Sequence, residues 1–475
     1  MSTMTLFDTR RQRLVEFRPH RPGHVSIYSC GATVHGPPHV GHLRSAVTVD
    51  VLRRWLAHSG HDVLHVRNVT DIDDKILTRS AAAGRPWWEW AAHHERAFTL
   101  AYDALGCLPP SLEPRATGHV TQAVELIERL LASGHAYVDH AGSGDVLFEV
   151  ARWHRYGELS HQQPDRVRPG TDAAASRRGP GDFTLWKKAK PGEPRWPSPW
   201  GHGRPSWHVE CSAMSTTYLG PEFDLHTGGR DLVFPHHENE RAQSMAAGDG
   251  FAGQWMHTGW VTAAGEKMSK SLGNALGVAE VLRRARSVEI RYYLLAPHYR
   301  STVEYSDRAL DEAARAYRRI EHFLHRARER AGASREDGDT TLPVGFRAAL
   351  DDDLATPTAL AVLHAVVREG QVALDRDDGA GVAAVQAQVT AMLRVLGLDA
   401  SSTGASAAEP AAPTSRALRD SLGRLVESTL ARRRRARDDA DFALADSLRD
   451  ELARAGVVVR DTATGTTTWT WSGRS

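Results

Sequence analysis

Two sets of residues in this 475-residue chain have types and spacing that could do chemistry. The first is Cys30, Cys211 and the pair His236 and Glu240 in Pro235-His-His-Glu-Asn-Glu240. Positions four apart on a helix share a face, and two thiolates, one imidazole and one carboxylate form a plausible tetrahedral zinc set. None has short C-x-x-C spacing. Small buried cysteines at strand ends and a solvated His/Glu face are the plainer alternatives. The second set is His39-Val-Gly-His42 with Lys267-Met-Ser-Lys-Ser271. Gly41 admits a base or ribose close to the backbone. Imidazole N–H groups and a helix N-terminus there would face phosphate oxygens. Lys267 and Lys270 can place point charges on a polyphosphate, as attack on phosphorus requires. Two histidines at a helix start and a two-lysine surface loop are the bland readings.

The elements that must position these residues begin with a βαβ unit. A strand over His24–Tyr28 ends near Cys30, a helix runs from about Leu43 to His58, and a second strand covers His61–Val66, with Gly60 as a C-cap. Parallel strands joined by a helix imply an open α/β sheet whose ligand crevice lies at the strand carboxyl ends. Helices are predicted over 87–105 and 116–133, then an insertion to about 205 holding a strand at 145–150. Strands are expected at Trp207–Cys211 and Phe223–His226, and a helix near Pro235. After Asn274 the apolar spacing turns helical over 310–330, 342–350, 357–375 and 382–396. Residues 399–415 read as a low-complexity linker. A last module has helices near 416–437 and 440–455 and a hairpin, Val457–Arg460 with Thr466–Trp471. It carries 12 Lys/Arg against 9 Asp/Glu from Arg416 onward, with Arg432-Arg-Arg-Arg435 its sharpest feature.

Length predicts several domains: a Rossmann-type parallel-sheet catalytic domain over 1–275 with a connective insertion at about 110–205, a helical bundle over 276–398, a linker over 399–415, and a small α+β module over 416–475. A net charge of +1 demands no nucleic acid and excludes none. Three scattered cysteines do not make a disulfide framework and fit reduced thiols in the cytoplasm. The N-terminus has no apolar h-region and no stretch approaches 18 uninterrupted apolar residues, so neither secretion nor membrane spanning is expected. With no coiled coil or large apolar face in the pattern, a monomer is expected.

Taken together these stretches resemble a known family. His39-Val-Gly-His42 is similar to the HIGH signature and Lys267–Ser271 to the KMSKS signature of class I aminoacyl-tRNA synthetases. Arg67-Asn-Val-Thr-Asp-Ile-Asp-Asp-Lys75, Gly203–Met214, Phe234–Glu240, Asp351–Pro357 and Asp461–Thr466 resemble the cysteinyl-tRNA synthetases. The resemblance covers nearly the whole chain. It implies that Cys30, Cys211, His236 and Glu240 hold one Zn²⁺, that the zinc binds the substrate thiolate at Cys30, and that Thr70 and Trp207 shape the amino-acid pocket. Cys107 matches no ligand and reads as structural. Zinc ligation of the thiolate would separate cysteine from serine, where shape alone discriminates poorly, so no editing domain is needed. His39, His42, Lys267 and Lys270 would stabilise charge when cysteine attacks Mg-ATP. Gly41, Ser269, Lys270, His226, Gly228 and Gly229 would contact ATP or the adenylate. Transfer to the terminal adenosine of tRNA(Cys) would follow. The helices after 275 would carry the tRNA, and the terminal module would read the anticodon through Arg432–Arg437, with Trp469 or Trp471 stacking on a base or simply packing across the hairpin.

This chain departs from the family pattern at Thr227, where many members have a third glycine, at Gly179, where an aspartate is usual, and in the Gly36-Pro-Pro38 filling before His39. Two other readings share parts of the pattern. A cysteine ligase of the mycothiol pathway would pass activated cysteine to an amino sugar, and would not need the C-terminal bundle and module. A non-catalytic tRNA-binding paralogue would have eroded ligands or signature lysines, and this chain keeps them.

Overall fold

The computed structural model describes residues 3–471 apart from 141, 163–176, 264, 268–275, 333–341, 400–414, 440, 455–456 and 462–466. The chain divides into two compact units, Met1–Ala407 and Ala408–Ser475.

In the first unit β1 (His24–Ser29), β2 (Asp62–Arg67), β3 (Glu222–Gly229) and β4 (Phe251–Thr258) form a parallel sheet in the order β4-β3-β1-β2. Parallel neighbours need a crossover, and α1 (Val40–His58) supplies the one between β1 and β2. The chain then returns to the other side of β1 as β3, so the strand order reverses between β1 and β3. That switch point is where open α/β sheets leave a crevice at their carboxyl ends. Both faces of the sheet are covered. Val25 and Ile27 of β1 pack in the core that contains α1, while Tyr28 packs in a second core on the opposite face. Strands buried on both faces read as apolar runs rather than strict alternation, as His24–Tyr28 does.

Between β2 and β3 the chain builds a second, antiparallel sheet from Ala136–Val138, Val146–Phe148, Phe183–Lys188 and Gly203–Pro205. Phe148, Leu185 and Trp186 form its core with Leu126 and Leu130 of the helix Val120–Ala132. After the sheet come the helices Asp307–Ala331, Val344–Asp351, Thr356–Asp375 and Gly379–Leu396, where the apolar spacing predicts them. Ser306 starts the first of these by accepting from the Ala309 N–H. Gly379–Leu396 is the one helix among the described residues long and apolar enough to cross a membrane. Its Val382, Val389, Leu393 and Leu396 are buried in a core shared with α1. Arg291 ties bundle to sheet domain. It is fully buried, donates to Leu396 O at 2.9 Å and Leu105 O at 3.1 Å, and pairs with Asp50 of α1. A buried guanidinium is tolerated because its N–H groups find acceptors.

Two expectations fail here. Trp207–Cys211 is the start of a helix, α2 (Trp207–Leu219), and not a strand. Val209 through Ser215 are buried without a break, so the segment carries no one-sided periodicity to mark it as helical. The strand expected to end at His226 runs on through Thr227 and Gly228 to Gly229.

In the second unit the helices Ser415–Asp438 and Phe442–Arg454 precede an antiparallel hairpin of Val457–Asp461 and Thr467–Trp471. Val426, Leu430, Leu452 and Val457 form its core. The expected turn at 461–465 falls mostly outside the described residues, as do the side chains of Trp469 and Trp471.

Candidate active site

Four elements bring the donor set together. Cys30 follows the last residue of β1, Cys211 lies in the second turn of α2, His236 sits in the turn before α3 (Glu238–Ala246), and Glu240 is in the first turn of α3. Their ligand atoms all lie within 4.8 Å of one another. Cys30 Sγ is 3.9 Å from Cys211 Sγ and 3.4 Å from both His236 Nε2 and Glu240 Oε1, and His236 Nε2 is 2.9 Å from Glu240 Oε1. Cys211, His236 and Glu240 are almost completely buried. Next to Cys30 the backbone runs close against the segment after β2: a Cβ on Gly31 would lie 1.7 Å from Asn68 O.

The charges in this pocket are mutually dependent. Burial raises a thiol, yet the Cys30 hydrogen bond and nearby His236 draw Cys211 down to about 7. Burial and the contacts with Cys211 and Glu240 push Cys30 well up. Glu240 is held well below the usual carboxylate range against its burial by His236 and His226, while Glu240 and Cys211 lift His236 to about 10 against its own. The protonated imidazole thus stands in for a cation. A divalent metal in its place would satisfy both thiolates and the carboxylate with a neutral His236, and the S, S, N, O donor set fits such an ion.

Partners outside this set orient it, and the sequence reading named Trp207 among them but missed His208 and His237. His208 Nδ1 lies 2.8 Å from His236 Nδ1, which leaves His236 Nε2 facing the cluster. Trp207 stacks on His236 with ring centroids 4.0 Å apart. His208 is three residues before Cys211, a same-face spacing visible only once the segment is known to be helical. His237 belongs to an overlapping group with Cys30, His226 and Glu240 whose ligand atoms are equally close, and its Nδ1 is 2.8 Å from His257 Nε2.

At the other end of the crevice, α1 starts on a histidine cap. The His39 ring accepts from the Gly41 N–H through Nδ1 at 3.2 Å, and His42 Nδ1 accepts from the His39 N–H at 3.1 Å. A nitrogen that accepts is unprotonated, so both rings carry their hydrogen on Nε2 and are donors there. The Gly36-Pro-Pro38 approach is pinned. Trp90 Nε1 donates to His35 O at 3.1 Å, Val40 N to Leu276 O at 3.2 Å, and Val278 N to Pro38 O at 3.4 Å. The segment following the lysine loop is therefore paired with the start of α1.

A cavity of about 430 Å³ joins the two ends. Cys30, Trp207, Gly228 and Gly229 line it, as do His39, Gly41 and His42. Two expected contacts are not there. His226 was expected on the nucleotide, but strand alternation turns it to the far face. It is fully buried, with Nε2 2.9 Å from Glu240 Oε2, and stacks on Trp255 at 4.5 Å. Thr70 was expected in the amino-acid pocket. It is also fully buried, its hydroxyl accepts from Asn68 Nδ2 at 3.1 Å, and its backbone pairs with Ala32 and Val34. It supports the wall rather than forming it. Lys267 ends the short strand Glu266–Lys267, paired to Thr262, and Ser269 and Lys270 lie outside the described residues. Asp182 takes the hydrogen bonds around Gly179, accepting from Gly179 N at 2.9 Å, Tyr137 OH at 2.9 Å and Val150 N at 3.0 Å. In the second unit Arg432, Arg434, Arg435 and Arg437 are exposed and Arg433 is buried.

Residues 16–315 match the family model for the tRNA synthetases class I (C) catalytic domain, and residues 419–469 match the cysteinyl-tRNA ligase anticodon-binding domain. The chain belongs to the class I cysteinyl-tRNA synthetases. Residues 345–400, the last three bundle helices, match a DALR domain. The family's activity is the ATP-driven ligation of cysteine to tRNA. An anticodon-binding domain has no use with an amino-sugar acceptor, so tRNA is the acceptor here. Solved structures share the fold. Mycobacterium tuberculosis methionyl-tRNA synthetase with methionyl-adenylate matches at TM-score 0.57 and 19% identity, over 83% of this chain and 93% of its own. A putative arginyl-tRNA synthetase from Campylobacter jejuni matches at 0.54 and 14%, over 79% and 93%.

Proposed function

We propose that Cys30, Cys211, His236 and Glu240 hold one zinc ion and that this ion selects cysteine by its thiolate. The observation that carries the reading is the convergence of these four donors behind the wall of a cavity whose other end is the N-terminus of α1. When bound, zinc supplies a soft cation that prefers a thiolate to the hydroxyl of serine. The protein residues do the rest. Trp207 and Cys30 line the amino-acid end. His39 and His42, as Nε2 donors at a helix N-terminus, face the phosphates of Mg-ATP together with Lys267 and Lys270, and offset the charge that develops as the cysteine carboxylate attacks the α-phosphorus and pyrophosphate leaves. Gly41, Gly228 and Gly229 let the nucleotide approach the backbone, and Ser269 belongs to the same lysine loop. The 2′- or 3′-hydroxyl of the terminal tRNA adenosine then takes the cysteinyl group and releases AMP.

The bundle helices would carry the inner limb of tRNA(Cys), and the exposed arginines of Ser415–Asp438 would contact its backbone near the anticodon. A monomer in the cytoplasm, where thiols stay reduced, completes the proposal. Cysteine-dependent ATP–pyrophosphate exchange followed by charging of bulk tRNA tests it. Both activities are expected in zinc-loaded protein, and exchange without charging would overturn the acceptor assignment.

A further inference from the structure

Thr227, Ser29 and His65 join across three adjacent strands at the floor of the cavity. Ser29 Oγ is 2.7 Å from Thr227 Oγ1 and 2.9 Å from His65 Nε2. All three residues are buried and line the cavity. Ser29 of β1 sits directly opposite Thr227 of β3, and His65 of β2 is paired two residues back, with Ile27. The next residue is Cys30. Its N–H donates to Thr227 O at 3.1 Å, which carries the pairing one residue past the end of β1. Successive strand side chains point to opposite faces. Holding Ser29 on the α1 face therefore holds Cys30 on the face that carries Cys211 and Glu240.

We infer that Thr227, through Ser29 and His65, is a positioning residue that fixes the direction of the Cys30 thiol and thereby sets how this chain binds cysteine. The hydrogens can be placed consistently. A neutral imidazole offers one donor and one acceptor, and each hydroxyl donates once, so the chain runs either from His65 to Thr227 or back. Burial and the charge on Arg67 keep His65 neutral, with its pKa lowered to about 3. A glycine at 227 would leave Ser29 with one partner fewer. The clamp rests on the zinc reading above.

The test uses the zinc-loaded full chain with Thr227→Val, which keeps the shape and removes the hydroxyl, and Thr227→Ser, which restores the hydroxyl. For Thr227→Val the expected result is a KM for cysteine raised about 10-fold in pyrophosphate exchange and zinc lost to a colorimetric chelator about 10-fold faster, the scale seen for groups one step removed from a metal ligand. The KM for ATP should stay within about a factor of two on that same scale. Thr227→Ser should recover both wild-type values. A Thr227→Val protein with wild-type cysteine KM and zinc retention would overturn the clamp. So would a rise in ATP KM alone, or a Thr227→Ser protein as impaired as Thr227→Val. Wild-type protein that retains no zinc would instead sink the metal reading, and that is seen before any variant is compared.

Discussion

The two ends of the cleft treat their polar groups in opposite ways. At the sulfur end, Cys211, His236 and Glu240 are sealed from water, touch one another, and are backed by His208, His226 and Trp207. At the phosphate end, His39 and His42 are half-buried, hydrogen-bond N–H groups at the start of their own helix, and pack on each other, with Phe98 against His42. The contrast matches the two tasks. Telling one atom type from another needs donors fixed in a dry pocket, where a misplaced group is costly. Stabilising a spreading negative charge needs donors presented to a large ligand that enters and leaves. The amino-acid end is preorganised by a sealed network of side chains, and the nucleotide end by a helix start whose N–H groups hold half-buried rings.

The largest expected break in that contrast is Cys211→Ser. It should remove both bound zinc and cysteine-dependent pyrophosphate exchange, checked by metal analysis and exchange on the same sample, while the fold remains. A variant with normal activity would remove the basis for the sulfur end. His42→Asn keeps an acceptor for the His39 N–H and loses the Nε2 donor. It should lower the exchange kcat about 100-fold, the scale of losing one oriented donor to a developing oxyanion, with zinc content unchanged. Loss of zinc in His42→Asn would mean that the two ends are not separate devices.

How much of this was readable beforehand differs between the ends in the same way. The phosphate end is contiguous: Cys30, His39 and His42 sit within one strand-loop-helix unit, and the sequence places all three correctly. The sulfur end is assembled from four places. Its four donors were grouped by residue type and singled out by the resemblance, and the structure brings them together, while the local reading of Cys211 as a strand end was wrong. The helix that carries Cys211 is buried from Val209 through Ser215 without a break, so neither a 3.6 nor a 2.0 period shows in it. His226 was placed on the nucleotide by the resemblance, and the run of β3 on to Gly229 turns it away. Gly228 is required by close packing, since a Cβ there would meet His237 Cε1 at 2.7 Å. The bundle helices were readable because each is amphipathic with one buried face.

A smaller effect is expected from the groups that back the ligands. His208→Ala should weaken zinc binding about 10-fold and raise the cysteine KM in parallel, leaving the ATP KM unchanged, as measured by chelator competition and exchange kinetics. An equal rise in both KM values would show that His208 supports the whole cleft. The last concerns pH and is read in stability rather than at the site itself. His65 is neutral in the folded chain, with its pKa lowered from 6.5 to about 3 by burial and Arg67. The unfolded chain binds the proton first as pH falls. The contribution is therefore intact above about pH 6.5 and is lost progressively down to about pH 3, approaching about 1.4 kcal/mol per pH unit. Urea midpoints at pH 7 and pH 5 should differ in the wild type and differ less in His65→Asn. An unchanged difference in the variant would place that acid sensitivity elsewhere.

The central claim is that the metal held by these four residues is what recognises cysteine. The direct measurement is ATP–pyrophosphate exchange with cysteine and with serine in chelator-stripped protein titrated with zinc. Exchange with cysteine should be absent at the start, rise in proportion to added zinc and level off at one ion per chain, with serine inactive throughout. Stripped protein that activates cysteine at the full rate, or zinc-loaded protein that activates serine equally well, would contradict it.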